Sequence, residues 1–117
     1  MRLNEIRYDK AKPVDGYGPG FFRVGGAVHH GPILVFPDGV TGWGGYDDAA
    51  ALVERAGLVD VVFVGTGAEV AHVPAAFRTA LEEAGLGVEA MASDAACRTY
   101  NVLLSEGRRV ALALIPV

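Results

Sequence analysis

The sequence predicts an α/β fold with a mixed rather than purely parallel sheet, and three observations carry that prediction. Short apolar runs at Ile33–Phe36, Val61–Val64, Val88–Met91 and Val110–Ile115 have the length and composition of buried strands. Stretches of helical spacing lie between the later runs and stop at Gly57, Gly85 and Gly107, each two to four residues before a strand. Gly25-Gly26 separates Phe21–Val24 from Ala27–His29, the dipeptide of a two-residue hairpin, and this N-terminal hairpin makes the sheet mixed. Helices alternating with short strands imply parallel pairing through right-handed crossovers. Pattern alone leaves the direction of the last strand open.

Taken in order, Leu3–Tyr8 reads as a short strand, and Gly16–Gly20 as a glycine-rich loop closing a hairpin turn. That loop lacks the Lys-Ser/Thr ending of a P-loop and precedes a strand rather than a helix. The strands around Gly25-Gly26 extend it into a β-meander. Ile33–Phe36 lies between Pro32 and Pro37 and is apolar throughout, as in a strand covered on both faces. Asp38-Gly39 marks a turn. The segment Val40–Gly45 carries the only tryptophan, Trp43, read as a core plug. Asp47 is expected to cap a helix reaching about Ala56, with Ala49, Leu52, Val53 and Ala56 inward. Pro74 opens the next helix, with Phe77, Ala80, Leu81 and Ala84 inward.

The last helix, Ser93–Gly107, organises the chain. Ser93 or Asp94 can cap its free N–H groups, and Gly107 can take the left-handed conformation that stops it. Ala96, Tyr100, Leu103 and Leu104 form the apolar stripe, with Cys97 on its flank. Asp94, Arg98, Asn101 and Ser105 form a polar stripe, whose simplest reading is a solvated face with an Asp94–Arg98 pair of roughly 0.3–0.5 kcal/mol.

Composition bounds the rest. The 117 residues are 51% hydrophobic and 21% charged, which suits one domain over residues 1–117 with a real core. A formal charge of −4 argues against nucleic-acid binding, which needs a basic face. One cysteine excludes an internal disulfide, and the absence of a signal-type or membrane-spanning apolar run predicts a cytoplasmic protein with no membrane partner. His29 and His30 would point to opposite faces of a strand, and His72 stands apart from both, so no metal site is expected. No motif calls for a cofactor.

The α/β layout points to one crevice. If the strands ending at Val64 and Met91 run side by side, Gly65-Thr66-Gly67 and the Ser93 helix start lie together at strand carboxyl ends, where such sheets bind ligands. Backbone N–H groups there favour a carboxylate or phosphate. The simpler reading of Gly65-Thr66-Gly67 is a tight strand exit. Cys97 lies near a helix start beside Arg98, conditions that favour a thiolate, yet no histidine is tied to it as a base, and a buried structural thiol is expected. Tyr100 is first a core aromatic and second a proton donor.

Gly65-Thr66-Gly67 after an apolar strand, the run Ala95-Ala96-Cys97-Arg98-Thr99-Tyr100-Asn101-Val102-Leu103-Leu104, and Glu106-Gly107-Arg108 before a closing strand resemble a widespread family of small uncharacterised proteins. Eukaryotic relatives in that family include a mitochondrial respiratory complex I assembly factor and an adipogenesis-associated protein. The resemblance covers nearly the whole chain and implies a compact three-layer α/β domain with a mixed central sheet. It supplies no catalytic residues, and its matching positions, Gly65 to Gly67 and Cys97 to Asn101, transfer only as a candidate surface. Met1 opens almost directly onto the first expected strand, so no mitochondrial targeting segment is expected.

Two functions from different classes follow. One is a non-enzymatic binding or assembly module with a protein partner. The other is an anion-binding protein or small enzyme that uses the crevice, drawing on Gly65, Thr66, Gly67, Ser93, Cys97, Arg98, Tyr100 and Asn101, with Arg98 as clamp and Cys97 or Tyr100 as the reactive group. A deep polar pocket beside Arg98 would favour the second, and a closed, packed edge the first.

Overall fold

The computed structural model describes residues 11–117. The expected strand Leu3–Tyr8 lies outside them. Among the described residues eight strands form: β1 Val14–Gly18, β2 Phe21–Val24, β3 Ala27–His30, β4 Ile33–Phe36, β5 Gly39–Gly42, β6 Val61–Gly65, β7 Gly87–Met91 and β8 Val110–Leu114. Three α-helices accompany them: α1 Ala50–Val53, α2 Ala75–Glu83 and α3 Ser93–Ser105.

The strands divide into a three-stranded meander, β1-β2-β3, and a five-stranded sheet of order β5-β4-β8-β6-β7. In the larger sheet β8 is central. It runs parallel to β6 and antiparallel to β4, which settles the direction that pattern left open. All five residues of β8 are buried, as a strand covered by neighbours and by both outer layers requires. The sheet is mixed, as expected, but through the β4–β5 hairpin; the N-terminal meander stands as a sheet of its own.

Alternation along the strands builds three layers. Leu34, Phe36, Val62, Val64, Ala111 and Ala113 face α1 and α2, where they meet Trp43, Leu52, Phe77 and Leu81. Ile33, Val35, Phe63, Val110, Leu112 and Leu114 face the other way, onto Ala96, Cys97 and Tyr100 of α3 and Val14, Phe22 and Val24 of the meander. Small residues of β8 therefore lie under the aromatic cluster, where Trp43 packs 5.7 Å from Phe77 and 5.8 Å from Tyr46 between ring centroids. The plug expected of Trp43 is there.

Several local expectations change. Gly16 and Gly18 belong to β1, and the turn falls at Pro19-Gly20. Gly39–Gly42 is an edge strand, since antiparallel pairing with β4 supplies its backbone partners despite the glycines. The helix expected from Asp47 to Ala56 breaks into a 3-10 turn at Gly45–Asp47, the single turn α1 and a second 3-10 turn at Ala56–Leu58. Asp47 caps nothing; the Asp48 carboxylate accepts from Gly44 N–H at 3.3 Å. Only Leu52 is fully buried in α1, and Val53 is exposed, so one anchor holds too short a stripe to sustain a longer helix.

Gly85 and Gly107 stop their helices as expected, with φ of +91° and +80°. Gly107 N–H donates to Leu104 O and Arg108 N–H to Leu103 O, the paired bonds of a Schellman ending. Leu86 N–H likewise reaches Leu81 O, and its side chain is buried. Gly57 makes no such stop, because it sits inside the 3-10 turn without a positive φ.

Candidate functional site

The parallel pair β6–β7 brings Gly65 opposite Met91, so the loop after β6 and the start of α3 meet at the carboxyl edge of the sheet. The meeting is tight. Gly67 N–H donates to Ser93 Oγ at 2.9 Å, Ser93 N–H donates to Gly67 O at 2.8 Å, and the Ser93 hydroxyl donates to Ile115 O at 2.6 Å. Ser93 has no exposed surface and does not cap its helix; its hydroxyl joins the β6 exit to the end of β8. Asp94 is not at the N-cap position, but its carboxylate accepts from Ala95 N–H at 2.8 Å and so satisfies one free N–H of the first turn, as expected.

This closure explains the glycine at 65. A Cβ there would lie 2.7 Å from Ser93 Oγ and 2.9 Å from Ser93 Cα, and the second of these is backbone that cannot swing aside. Thr66 completes the loop. Its backbone N–H donates to Met91 O, its hydroxyl donates to Glu69 O at 2.7 Å, and Ala71 N–H donates back to that hydroxyl at 3.1 Å.

The α3 residues separate by direction. Cys97 is buried, and burial, with a smaller contribution from Asp94, pushes its thiol up to about 12 against the opposing pull of Arg98. Tyr100 is fully buried, its hydroxyl donates to Lys12 O at 3.2 Å, and burial raises its pKa too. Asn101 turns to β1, accepting from Val14 N–H at 2.9 Å and donating to Val14 O at 2.8 Å. Arg98 points outward, 67% exposed, with Asp94 at 3.5 Å. Gly65, Thr66, Gly67 and Ser93 are thus brought together, whereas Cys97, Tyr100, Asn101 and Arg98 face elsewhere.

One feature of this edge left no trace in the sequence. Arg78 of α2 donates from Nη1 to Val88 O at 3.1 Å and lines a depression of about 300 Å³ with Val70, Ala71, His72, Val73 and Ala90. Nothing in the local pattern of α2 distinguishes Arg78 from a solvated arginine. Among the described residues, no cluster of metal-ligating side chains forms, and no helix is long and apolar enough to cross a membrane.

Fold and site together define a small three-layer α/β domain whose strand-end loop is stapled to its last helix. The chain belongs to the family described as protein of unknown function (DUF498/DUF598), whose model matches residues 14–115. An uncharacterised protein of Rhodobacter capsulatus is 51% identical over 117 residues, covering 100% of this chain and 94% of that protein. The NADH dehydrogenase [ubiquinone] 1 alpha subcomplex assembly factor 3 of Danio rerio is 33% identical over 86% of this chain, which spans 62% of that factor's length. A crystal structure of an outer membrane protein from Bartonella henselae matches with a TM-score of 0.82 at 35% identity, covering 89% of this chain and 93% of that one. The family and the α/β architecture expected from the sequence are both borne out.

Proposed function

We propose that this protein is a non-enzymatic binding or assembly module that acts on protein partners. The observation that carries the reading is the sealed strand edge. The polar groups that would greet a ligand there, Gly67 N–H and Ser93 Oγ, are bound to each other and to Ile115 O. An anion seated between Gly65-Thr66-Gly67 and α3 would have to displace these bonds, and Arg98 points away from the closure. A thiol held up at about 12 is protonated at neutral pH and makes a poor nucleophile. The zebrafish relative's name, an assembly factor, supports the same reading.

The test is crosslinking capture of the full chain from its native lysate, with an untagged competitor, set beside calorimetry with phosphate, sulfate and small carboxylates. A saturable protein partner with no anion binding is expected. Anion binding lost in Arg98→Ala, without a protein partner, would overturn the reading. It takes the cytoplasm as the place of action and excludes nucleic acid and membrane as partners. Because the Bartonella relative is called an outer membrane protein, cell fractionation checks the location directly.

A further inference from the structure

We propose that the free edge of β7 is a strand-addition site, where an extended peptide segment of a partner protein, alternately acidic and apolar, adds as a sixth strand. This rests on the reading of the chain as a binding module. Among the described residues, β7 is the terminal strand of the five-stranded sheet. Gly87 N–H donates to Asp60 O and Thr66 N–H donates to Met91 O, so the backbone groups of Gly87, Glu89 and Met91 serve β6. By alternation those of Val88 and Ala90 point outward. Arg78 Nη1 covers Val88 O from that side, whereas the half-buried Ala90 has both outward backbone groups, and Val88 its N–H, without a partner among the described residues.

A side-chain depression flanks the same edge on the α2 face. On the α2 face, Ala90 shares the depression of Val70, His72, Val73 and Arg78. A separate depression of about 300 Å³ lies on α3 itself, lined by Arg98, Thr99, Val102 and Leu103 and by no residue of β7. Val102 is 57% exposed. Alternate side chains of an added strand would enter the α2-face depression, and those between them would lie beside Glu89 on the other face.

The competing edges lack this arrangement. β3 has three of its four residues exposed, and Arg55 Nη1 donates to Thr41 Oγ1 on β5. Gly87–Met91 also carries none of the lysines, prolines or bulges that usually protect an edge.

Charge selects the occupant. Arg78 is held by one carbonyl and by Glu82 at a loose 3.6 Å, so an acidic side chain on the α2 face of the incoming strand gains a guanidinium partner, with His72 beside it. On the other face the incoming side chains lie beside Glu89, whose charge disfavours acidic ones there and so sets the alternation. A second copy is disfavoured, since self-pairing through Val88 and Ala90 sets Glu89 directly against Glu89.

The experiment selects displayed random short peptides on the immobilised full chain, then titrates a synthetic copy of a selected peptide into isotope-labelled protein. Acidic–apolar alternation is expected, with slowed hydrogen exchange at the Val88 and Ala90 amides. Ala90→Pro removes an N–H that β6 does not use and should weaken binding at least about tenfold. Arg78→Glu should weaken it about tenfold, with partial recovery in Arg78→Lys. If Ala90→Pro does not fold, the Arg78 pair and the exchange data decide. Protection at β3 or β5 amides, or indifference to Arg78→Glu, would overturn this site while leaving a binding module standing. No enriched peptide, or concentration-dependent self-association that protects β7, would also overturn it.

Discussion

The side-chain amide of Asn101 pairs with both backbone groups of Val14, accepting at 2.9 Å and donating at 2.8 Å across 87 residues of sequence. An asparagine amide has the donor and acceptor layout of a peptide group, so α3 offers β1 the bonds a neighbouring strand would. Tyr100, one residue earlier, binds Lys12 O, and the two side chains together hold the segment leading into β1.

Asn101→Ala should therefore cost about 1–3 kcal/mol, since it leaves the polar groups of the buried Val14 without partners. Denaturant unfolding measures the loss, and faster exchange of the Val14 amide locates it. Unchanged stability would mean that water replaces the amide at no cost.

At the sealed edge, Ser93→Ala strips Gly67 N–H of its acceptor in a fully buried position, for an expected loss of about 1–3 kcal/mol. Gly65→Ala forces the Ser93 backbone away and should destabilise by at least about 1–3 kcal/mol, the range for overpacking. A midpoint for Gly65→Ala equal to that of the parent protein would show that α3 can move off β6 freely.

Leu103 and Leu112 separate what the apolar stripe of α3 is worth from what the sheet is worth. The stripe alone suggests about 2–5 kcal/mol for Leu103→Ala, but the side chain is only half-buried at the rim of α3, so about 1–2 kcal/mol is expected. Leu112→Ala, at the centre of β8 with no exposed surface, should cost the full 2–5 kcal/mol or so. Paired urea titrations decide the order.

The Cys97 thiol gives a pH signature. In the unfolded chain it ionises near 9.0, whereas in the folded chain burial holds the proton to about 12. Between those values the folded state binds more protons than the unfolded one, so stability is intact below pH 9 and falls as pH rises above it. The slope approaches about 1.4 kcal/mol per pH unit for this group alone. Cys97→Ala should flatten that part of the profile, and native thiol labelling near neutral pH should be slow. Rapid labelling would show an open, ionisable thiol instead.

Arg98→Ala should shift stability by no more than about 0.5 kcal/mol, because the Asp94 pair is exposed and loose at 3.5 Å. Thermal unfolding checks this. A larger loss would reveal a partner for the guanidinium that the geometry does not contain.

Features that depend on neighbours along the chain are legible in the residues alone. The α/β class follows from strand-length apolar runs such as Ile33–Phe36 set against 3.6-residue stripes such as that of α3. The stops at Gly85 and Gly107 follow from the left-handed φ that a helix end demands. The family follows from the run around Cys97–Asn101 together with Gly65-Thr66-Gly67. Only the tertiary structure decided the direction of β8, the Ser93 staple, the Asn101–Val14 pair and the Arg78 cover over Val88. Each of the three contacts is a hydrogen bond between groups 10 to 87 positions apart, and a polar side chain reads the same in sequence whether water or a distant backbone group satisfies it. The Asp47–Ala56 helix failed for the same reason in reverse: its local pattern was adequate, but only Leu52 became fully buried, while Ala49 and Ala56 pack partly and Val53 is exposed.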